Sequence, residues 1–105
     1  MKYEINVLNV PNQSFSYNLA DDEGGLYAID MKLRTLPDGN MITDIYLDGE
    51  LVIASAMCCD RMPLMPTNVL NGNIYFEDVF GESDPVYVGL GEQYKLIYDT
   101  EFRLG

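Results

Sequence analysis

The chain has no histidine, no tryptophan and few basic residues, and these shortages limit the functions it can have. Without histidine, neither a Ser-His nor a Cys-His catalytic pair can be assembled. Only 6 Lys and Arg stand against 17 Asp and Glu, so the formal net charge is −11. Nucleic-acid phosphates and anionic membranes both attract clustered Lys and Arg. We therefore expect no direct nucleic-acid binding, no membrane binding and no enzyme activity.

Long apolar runs are also missing. No stretch of 18 apolar residues is present, and no basic segment followed by an apolar one opens the chain, so we expect no membrane span and no signal peptide. An apolar fraction of 48% still argues for a folded core. A chain of 105 residues is enough for a single domain, which we place at residues 1–105.

The two cysteines, Cys58 and Cys59, are adjacent. Neighbouring residues of a strand point to opposite faces, so a disulfide between them would be strained. We interpret them as small buried apolar side chains of a protein made in a reducing compartment. A vicinal redox pair or a soft-metal site is the alternative, but no third ligand is evident. We predict neither a metal nor a cofactor.

Apolar and polar residues alternate over most of the chain, which is the period of a strand with one buried face. Turn sequences separate these segments, including Pro37-Asp-Gly-Asn40 and Asp48-Gly49. No window has helical periodicity. The pattern predicts an all-β fold, a small antiparallel barrel or sandwich of about seven to eight strands. The inward-facing series are Tyr3, Ile5 and Val7; Phe15, Tyr17 and Leu19; Tyr27, Ile29, Met31 and Leu33; Met41, Ile45 and Leu47; Ile74, Phe76, Asp78 and Phe80; Tyr94, Leu96 and Tyr98.

One segment, Leu51 to Cys59, is apolar almost without interruption. It predicts a strand covered on both faces, central in the fold or hidden by a partner, with a short buried helix as the competing interpretation. The next segment, Arg61 to Pro66, contains two prolines and cannot be a regular helix. We expect an extended loop with exposed methionines, and assign partner contact to Arg61, Met62, Leu64 and Met65.

Acidic residues gather at Glu77, Asp78, Glu82 and Asp84. Such a group could bind a cation or a small ligand through its carboxylates, and this is the alternative function. We interpret a second acidic group, Asp21 to Glu23, as a solvated turn. Paired carboxylates also serve in glycoside cleavage, but nothing in the pattern indicates a cleft. We assign no catalytic residue.

The last third of the chain contains a distinctive turn. Asp84-Pro85 favours an extended or turn conformation, and Gly89 and Gly91 flank Leu90 in a tight reversal before the final strand. Tyrosines dominate the aromatic residues of this region. Their rings are expected in the core with hydroxyls at its rim, or in an interface belt. Asp84, Pro85, Gly89, Leu90 and Gly91 form the predicted structural turn motif.

Across nearly its whole length the chain resembles the baseplate plug domain family of contractile-tailed phages, described in a cyanophage. The resemblance lies in the order and spacing of several short pieces: Pro11 and Gln13 before Phe15; Asp44-Ile-Tyr-Leu-Asp-Gly49; Asp60-Arg61 and Pro63-Leu64; Gly72-Asn-Ile-Tyr-Phe76 with Asp78; and Asp84-Pro85, Tyr87, Leu90-Gly91 and Leu96-Ile-Tyr98.

This resemblance implies a virion structural protein of the tail baseplate, made in the reducing cytoplasm of a bacterial host. Such a protein would pack against hub, spike or tail-tube subunits near the tail axis and help to plug the lumen before DNA ejection. Packing and strand-edge pairing would hold it there, and it could be an oligomer within the assembly. Rearrangement of the partners would release it without chemistry.

Overall fold

The computed structural model describes residues 1–66 and 69–102, and their hydrogen bonding forms two antiparallel sheets. The all-β fold is confirmed, with seven strands in a sandwich-like arrangement. Within the described ranges no helix is long and apolar enough to span a membrane. A single 3₁₀ turn at Tyr87–Gly89 precedes the last strand. The strands are β1 Lys2–Ile5, β2 Gln13–Ala20, β3 Leu26–Thr35, β4 Met41–Leu47, β5 Glu50–Met57, β6 Asn73–Asp78 and β7 Tyr94–Asp99.

Strands β2 to β5 form a four-stranded meander in chain order. Its alternation is the one expected from the sequence, because the buried residues of β3 are Ile29, Met31 and Leu33. Met31 pairs with Phe15 on one side and with Ile45 on the other, so the three inward rows coincide across the sheet. Hairpin turns join the neighbouring strands and fix this register.

The second sheet has the order β1-β7-β6 and joins the two ends of the chain. Tyr3 of β1 lies opposite Tyr98 of β7, and Ile74 of β6 lies opposite the same tyrosine. Leu96 and Tyr98 are fully buried, and the inner faces of the two sheets enclose one core. The hydroxyl of Tyr98 donates to the carbonyl of Asn71 at 2.7 Å, so this buried ring keeps a hydrogen bond.

The apolar segment Leu51 to Cys59 forms a strand, β5, but it is not central in the fold, so of the two expectations for it only coverage by a partner stays a prediction. It is the outer strand of the meander, and its side chains are half-buried or exposed. Its pairing with β4 shifts register near Ile45, and Ser55 adopts a positive φ of 52°. Such irregularities bend an outer strand away from further pairing. The strand buried on both faces is β6 instead.

The segment after β5 covers the outer edge of β6. The N–H of Arg61 donates to the carbonyl of Phe76 at 2.7 Å, and the N–H of Leu64 donates to the carbonyl of Ile74 at 2.9 Å. Hydrogen bonding therefore continues from the meander through residues 58–65 into the second sheet. On the opposite side, β1 and β2 are the outer strands of their sheets, and no strand pairing joins them within the described part of the chain.

A candidate contact surface at the end of strand β6

The loop that follows β6 is organised by the carboxylate of Asp78. This side chain accepts the N–H of Phe80 at 2.9 Å and the N–H and hydroxyl of Ser83 at 3.0 and 2.6 Å. The amide of Gln93 donates to both carboxylate oxygens at 3.3 Å. Only 2% of Asp78 is exposed. The Ser83 hydroxyl, followed by the Ser83 and Phe80 N–H groups, holds the pKa of Asp78 below its ordinary value.

Asp60 and Arg61 tie the same loop to the segment after β5. The carboxylate of Asp60 accepts the N–H of Asp78 at 2.7 Å, and the N–H of Asp60 donates to the carboxylate of Asp84 at 2.9 Å. The guanidinium of Arg61 forms an ion pair with Asp60 and donates to the carbonyls of Asp78 and Gly81 at 3.1 and 3.2 Å. Arg61 therefore lies against the loop with its backbone in the left-handed region, at φ 58°.

The predicted turn motif supports this loop from behind. The hydroxyls of Tyr94 and Ser83 are 2.9 Å apart, and Pro85 and Leu90 are buried. A Cβ at Gly89 would stand 2.8 Å from the ring of Tyr94, so the ring packs directly on the glycine backbone. Gly91 has a positive φ of 86° and donates its N–H to the carbonyl of Tyr94 at 2.9 Å. Pieces far apart in sequence thus meet at one end of the molecule.

Exposed apolar side chains adjoin Arg61 in the chain and occur in the loop that its guanidinium binds. Met62 follows it in the chain and is 56% exposed, and Phe80, in the loop that Arg61 holds, is 78% exposed. Val79 beside Phe80 is exposed as well. We call Arg61, Met62, Val79 and Phe80 the contact surface. It combines one cation with three apolar side chains on a hydrogen-bonded loop, a composition typical of protein interfaces.

The four residues predicted to contact a partner separate into two pairs. Arg61 and Met62 are exposed and belong to the contact surface. Leu64 and Met65 are only 4% exposed and lie in the core, so the expectation that both methionines of this loop are exposed is wrong for Met65. Backbone bonding to β6 explains the difference, because the amide of Asn73 brackets Met65 with two 2.9 Å hydrogen bonds.

The sequence pattern missed Val79 and Phe80, because Phe80 continues the alternation of β6 on the inward side. The strand instead ends at Asp78, whose carboxylate binds the following N–H groups and turns the chain outward. The signal was present in Phe80-Gly81-Glu-Ser-Asp84, where a glycine and three polar residues follow the aromatic ring.

The acidic group from Glu77 to Asp84 does not form a cation site in this geometry. The Asp78 oxygens are occupied by hydrogen-bond donors, and Asp84 accepts the N–H of Asp60. Throughout residues 1–66 and 69–102, no group of three or more Cys, Asp or Glu side chains is arranged to hold a metal ion. The carboxylates of Asp78 and Asp84 order the backbone, so the ligand-binding alternative gains no support from the structure.

Asp21 plays a similar role in the turn between β2 and β3. Its carboxylate accepts the N–H groups of Glu23 and Gly25 at 2.9 and 2.7 Å. The hydroxyl of Tyr27 and the amide of Asn71 each donate to it at 2.8 Å. The hydrogen bond from Tyr27, followed by that from Gly25, lowers the pKa of Asp21. The acidic turn is therefore built around one buried carboxylate and links the two sheets.

The sequence is similar to a known protein family over almost its whole length. Residues 2–101 match the family model described as "Cyanophage baseplate Pam3 plug gp18". No curated protein matches the chain.

Proposed function

Because the chain belongs to the cyanophage baseplate plug family, it is a structural protein of the phage tail baseplate, and we propose that it closes the lumen there. In this proposal it sits on the axis where the tail tube meets the central hub, and it blocks the channel until the tail contracts before DNA ejection. The observation that carries the proposal is the family match over residues 2–101, together with a rigid apolar surface at one end of the molecule.

The contact surface is suited to a subunit interface. Its apolar side chains stand on backbone held by the carboxylates of Asp60 and Asp78, so little conformational entropy is lost when a partner packs on it. The charge of Arg61 is compensated by its ion pair with Asp60. A partner with an apolar pocket would match this surface, and the hub, spike and tube subunits are the proposed candidates.

The overall charge supports a lumen-closing role. A net charge of −11 repels a DNA backbone nearby, so the protein would block the channel without holding the genome. Removal would then require only that the partners move apart. No covalent step is needed, and the carboxylates at the contact surface are committed to structural hydrogen bonds.

Co-purification tests the proposal. The chain is co-expressed with the hub, spike and tail-tube subunits encoded beside it, and complexes are measured by size exclusion with light scattering. We expect a complex of defined stoichiometry with at least one of them. A double variant, Met62→Ser with Phe80→Ser, should weaken it by at least about tenfold, because buried apolar contacts are lost.

Leu26 supplies the matched control, because it is 78% exposed, as Phe80 is, but lies on the β2–β3 hairpin. Leu26→Ser should leave the complex intact. A protein that binds none of the three subunits contradicts the proposed position in the tail. Equal loss of binding in the control and the double variant contradicts the contact surface.

A further inference from the structure

An open groove lies between the outer strands of the two sheets. Its volume is about 530 Å³, and residues of both β1 and β2 line it continuously. On the opposite side of the sandwich, residues 58–65 hydrogen-bond to β6 and connect the meander to the second sheet. No such connection joins β1 to β2 within the described residues, and the groove lies in that gap between the two sheets.

The free backbone groups of β2 follow from its pairing with β3. Residues of an antiparallel pair bond to their partner at alternate positions and point outward at the others. The N–H of Asp21 donates to the carbonyl of Gly25 at 3.0 Å, and this bond shows which alternate residues of β2 are hydrogen-bonded to β3. The register then turns the N–H and C=O groups of Ser14, Ser16, Asn18 and Ala20 away from β3, and none has a hydrogen bond within the described residues.

The same reasoning applies to β1. The N–H of Thr100 donates to the carbonyl of Met1 at 3.0 Å, so the residues of β1 that bond to β7 alternate from there. The backbone groups of Lys2 and Glu4 point away from β7, and within the described part of the chain they have no hydrogen-bond partner. Both walls of the groove thus present unpaired donors and acceptors at the spacing of a strand.

Aromatic rings line the groove between these two edges. Phe15 and Tyr17 stack with ring centroids 5.8 Å apart, and Tyr3 stacks on Tyr98 at 6.2 Å. Phe15 and Tyr17 are half-buried although they pack on the core, so they leave apolar surface open to the groove. An occupant with apolar side chains at alternate positions would cover this surface and pair its backbone at the same time.

The charge of the groove and of the whole chain limits which extended segments could bind there. Glu4 is the one groove-lining residue that carries a charge at neutral pH, and the chain as a whole carries −11. A second copy would bring another −11 to the same contact and be repelled. A basic segment would be attracted by Glu4, whose present ion pair with Lys95 is 3.3 Å long, and by the negative charge of the chain, whereas a neutral segment would not be repelled.

We propose that the groove between β1 and β2 receives an extended, neutral or basic segment of a partner protein as an added strand that closes the sandwich. The partner's membership of the baseplate rests on the proposed function, whereas the groove, its free edges and its charge do not. This interface is separate from the contact surface around Arg61 and would fix the orientation of the protein in the assembly.

Amide hydrogen exchange in the free protein and in the complex with its baseplate partner tests this directly. The amides of Tyr17 and Leu19 are bonded to β3 in both states and should not change. Those of Ser16, Asn18 and Glu4 should slow by at least about tenfold on binding. Such an alternating pattern distinguishes an added strand from general shielding, which would slow neighbouring amides alike.

A proline at Asn18 provides the second measurement. Proline is tolerated on an outer strand where its N–H would face solvent, but it removes the donor that an added strand needs. Asn18→Pro should weaken the complex by at least about tenfold, and Asn18→Ala, which keeps the donor, should not. A complex in which the outward amides stay unprotected overturns the inference while the proposed function stands.

Two other results would also overturn it. Protection confined to β5 would show that the added strand pairs with the outer edge of β5 and does not occupy the groove. Protection of Ser16 and Asn18 that depends only on this protein's own concentration would assign the groove to a second copy. Failure to bind any baseplate subunit removes the proposed function and, with it, the baseplate partner of this groove.

Discussion

The carboxylate of Asp60 accepts the backbone N–H of Asp78 at 2.7 Å, and this bond joins the segment after β5 to the end of β6. Each of the two carboxylates accepts backbone N–H groups, and Asp60 also forms an ion pair with Arg61, so these contacts offset the repulsion between the two acidic residues. The carboxylates of Asp60 and Asp78 are consequently structural, and the apolar side chains of Met62, Val79 and Phe80 are exposed in the two segments that they join.

Leu64 and Met62 should respond oppositely to truncation. Leu64→Ala removes a core side chain and should lower the free energy of unfolding by about 2–5 kcal/mol. Met62→Ala removes an exposed side chain and should change it by no more than about 0.5 kcal/mol. Denaturant unfolding measures both. Equal losses would contradict the burial that separates the two halves of the proline loop.

Acid should weaken the fold through Asp78. Its pKa is lowered in the folded state, so its stabilising effect is complete above the ordinary value of 3.8 and disappears as pH falls below it toward the folded pKa. Melting temperature measured from pH 7 to pH 2 should show this loss. Asp78→Asn should melt lower at pH 7, and its difference from the native chain should narrow below about pH 4.

Asp21 provides an internal check on that experiment. Its pKa is lowered as well, chiefly by the hydroxyl of Tyr27, so the Asp78 variant should retain part of the acid sensitivity. If the native chain and the variant showed parallel pH profiles, the hydrogen bonds to Asp78 would not favour its charged form.

Alanine substitutions at Gly89 and Gly81 test the effect of close packing without a change in backbone conformation, because neither glycine has a positive φ. A Cβ at Gly89 would meet the Tyr94 ring at 2.8 Å, whereas one at Gly81 would lie 3.4 Å from the Asp78 carboxylate. Gly89→Ala should cost about 1–3 kcal/mol through overpacking, and Gly81→Ala about 0.5 kcal/mol or less. Thermal or denaturant unfolding of the pair checks this, and equal effects would argue against the ring contact.

The two cysteines should differ in reactivity. Burial raises the pKa of Cys58 to about 12, and burial together with the charge of Asp84 raises that of the half-buried Cys59. A thiol reagent at pH 8 should modify Cys59 slowly and Cys58 only after denaturation. Cys58→Ala and Cys59→Ala variants identify which thiol reacts. Rapid modification of both in the native protein would contradict the burial of Cys58.

Local sequence patterns were sufficient to predict most of the strands. Alternation from Tyr27 to Leu33 and the turns at Asp38-Gly39 and Asp48-Gly49 predict the meander, because side-chain period and turn chemistry are both local. The position of β5 was not predictable in this way. An apolar run indicates a strand that could be covered on both faces, but the strand order that leaves it at the edge depends on the whole chain.

The contact surface was partly predictable for a similar reason. Two prolines exclude a helix over residues 61–66, and Arg61 and Met62 are exposed as expected. Burial of Leu64 and Met65 results from hydrogen bonds to β6, a strand that begins at residue 73. Periodicity within a short segment carries no information about such a partner.

The pairing of β1 with β7 also affects how the protein folds. It joins residues 2–5 to residues 96–99, whereas the hairpins of the meander join near neighbours. Contacts between distant segments form after a costly loop closure, so we expect β1 to dock after the folding transition state. Stopped-flow kinetics should show that Ile5→Val mainly speeds unfolding and Ile45→Val mainly slows folding. The wall of the groove that β1 provides would then be the last part of the fold to form and the first to open.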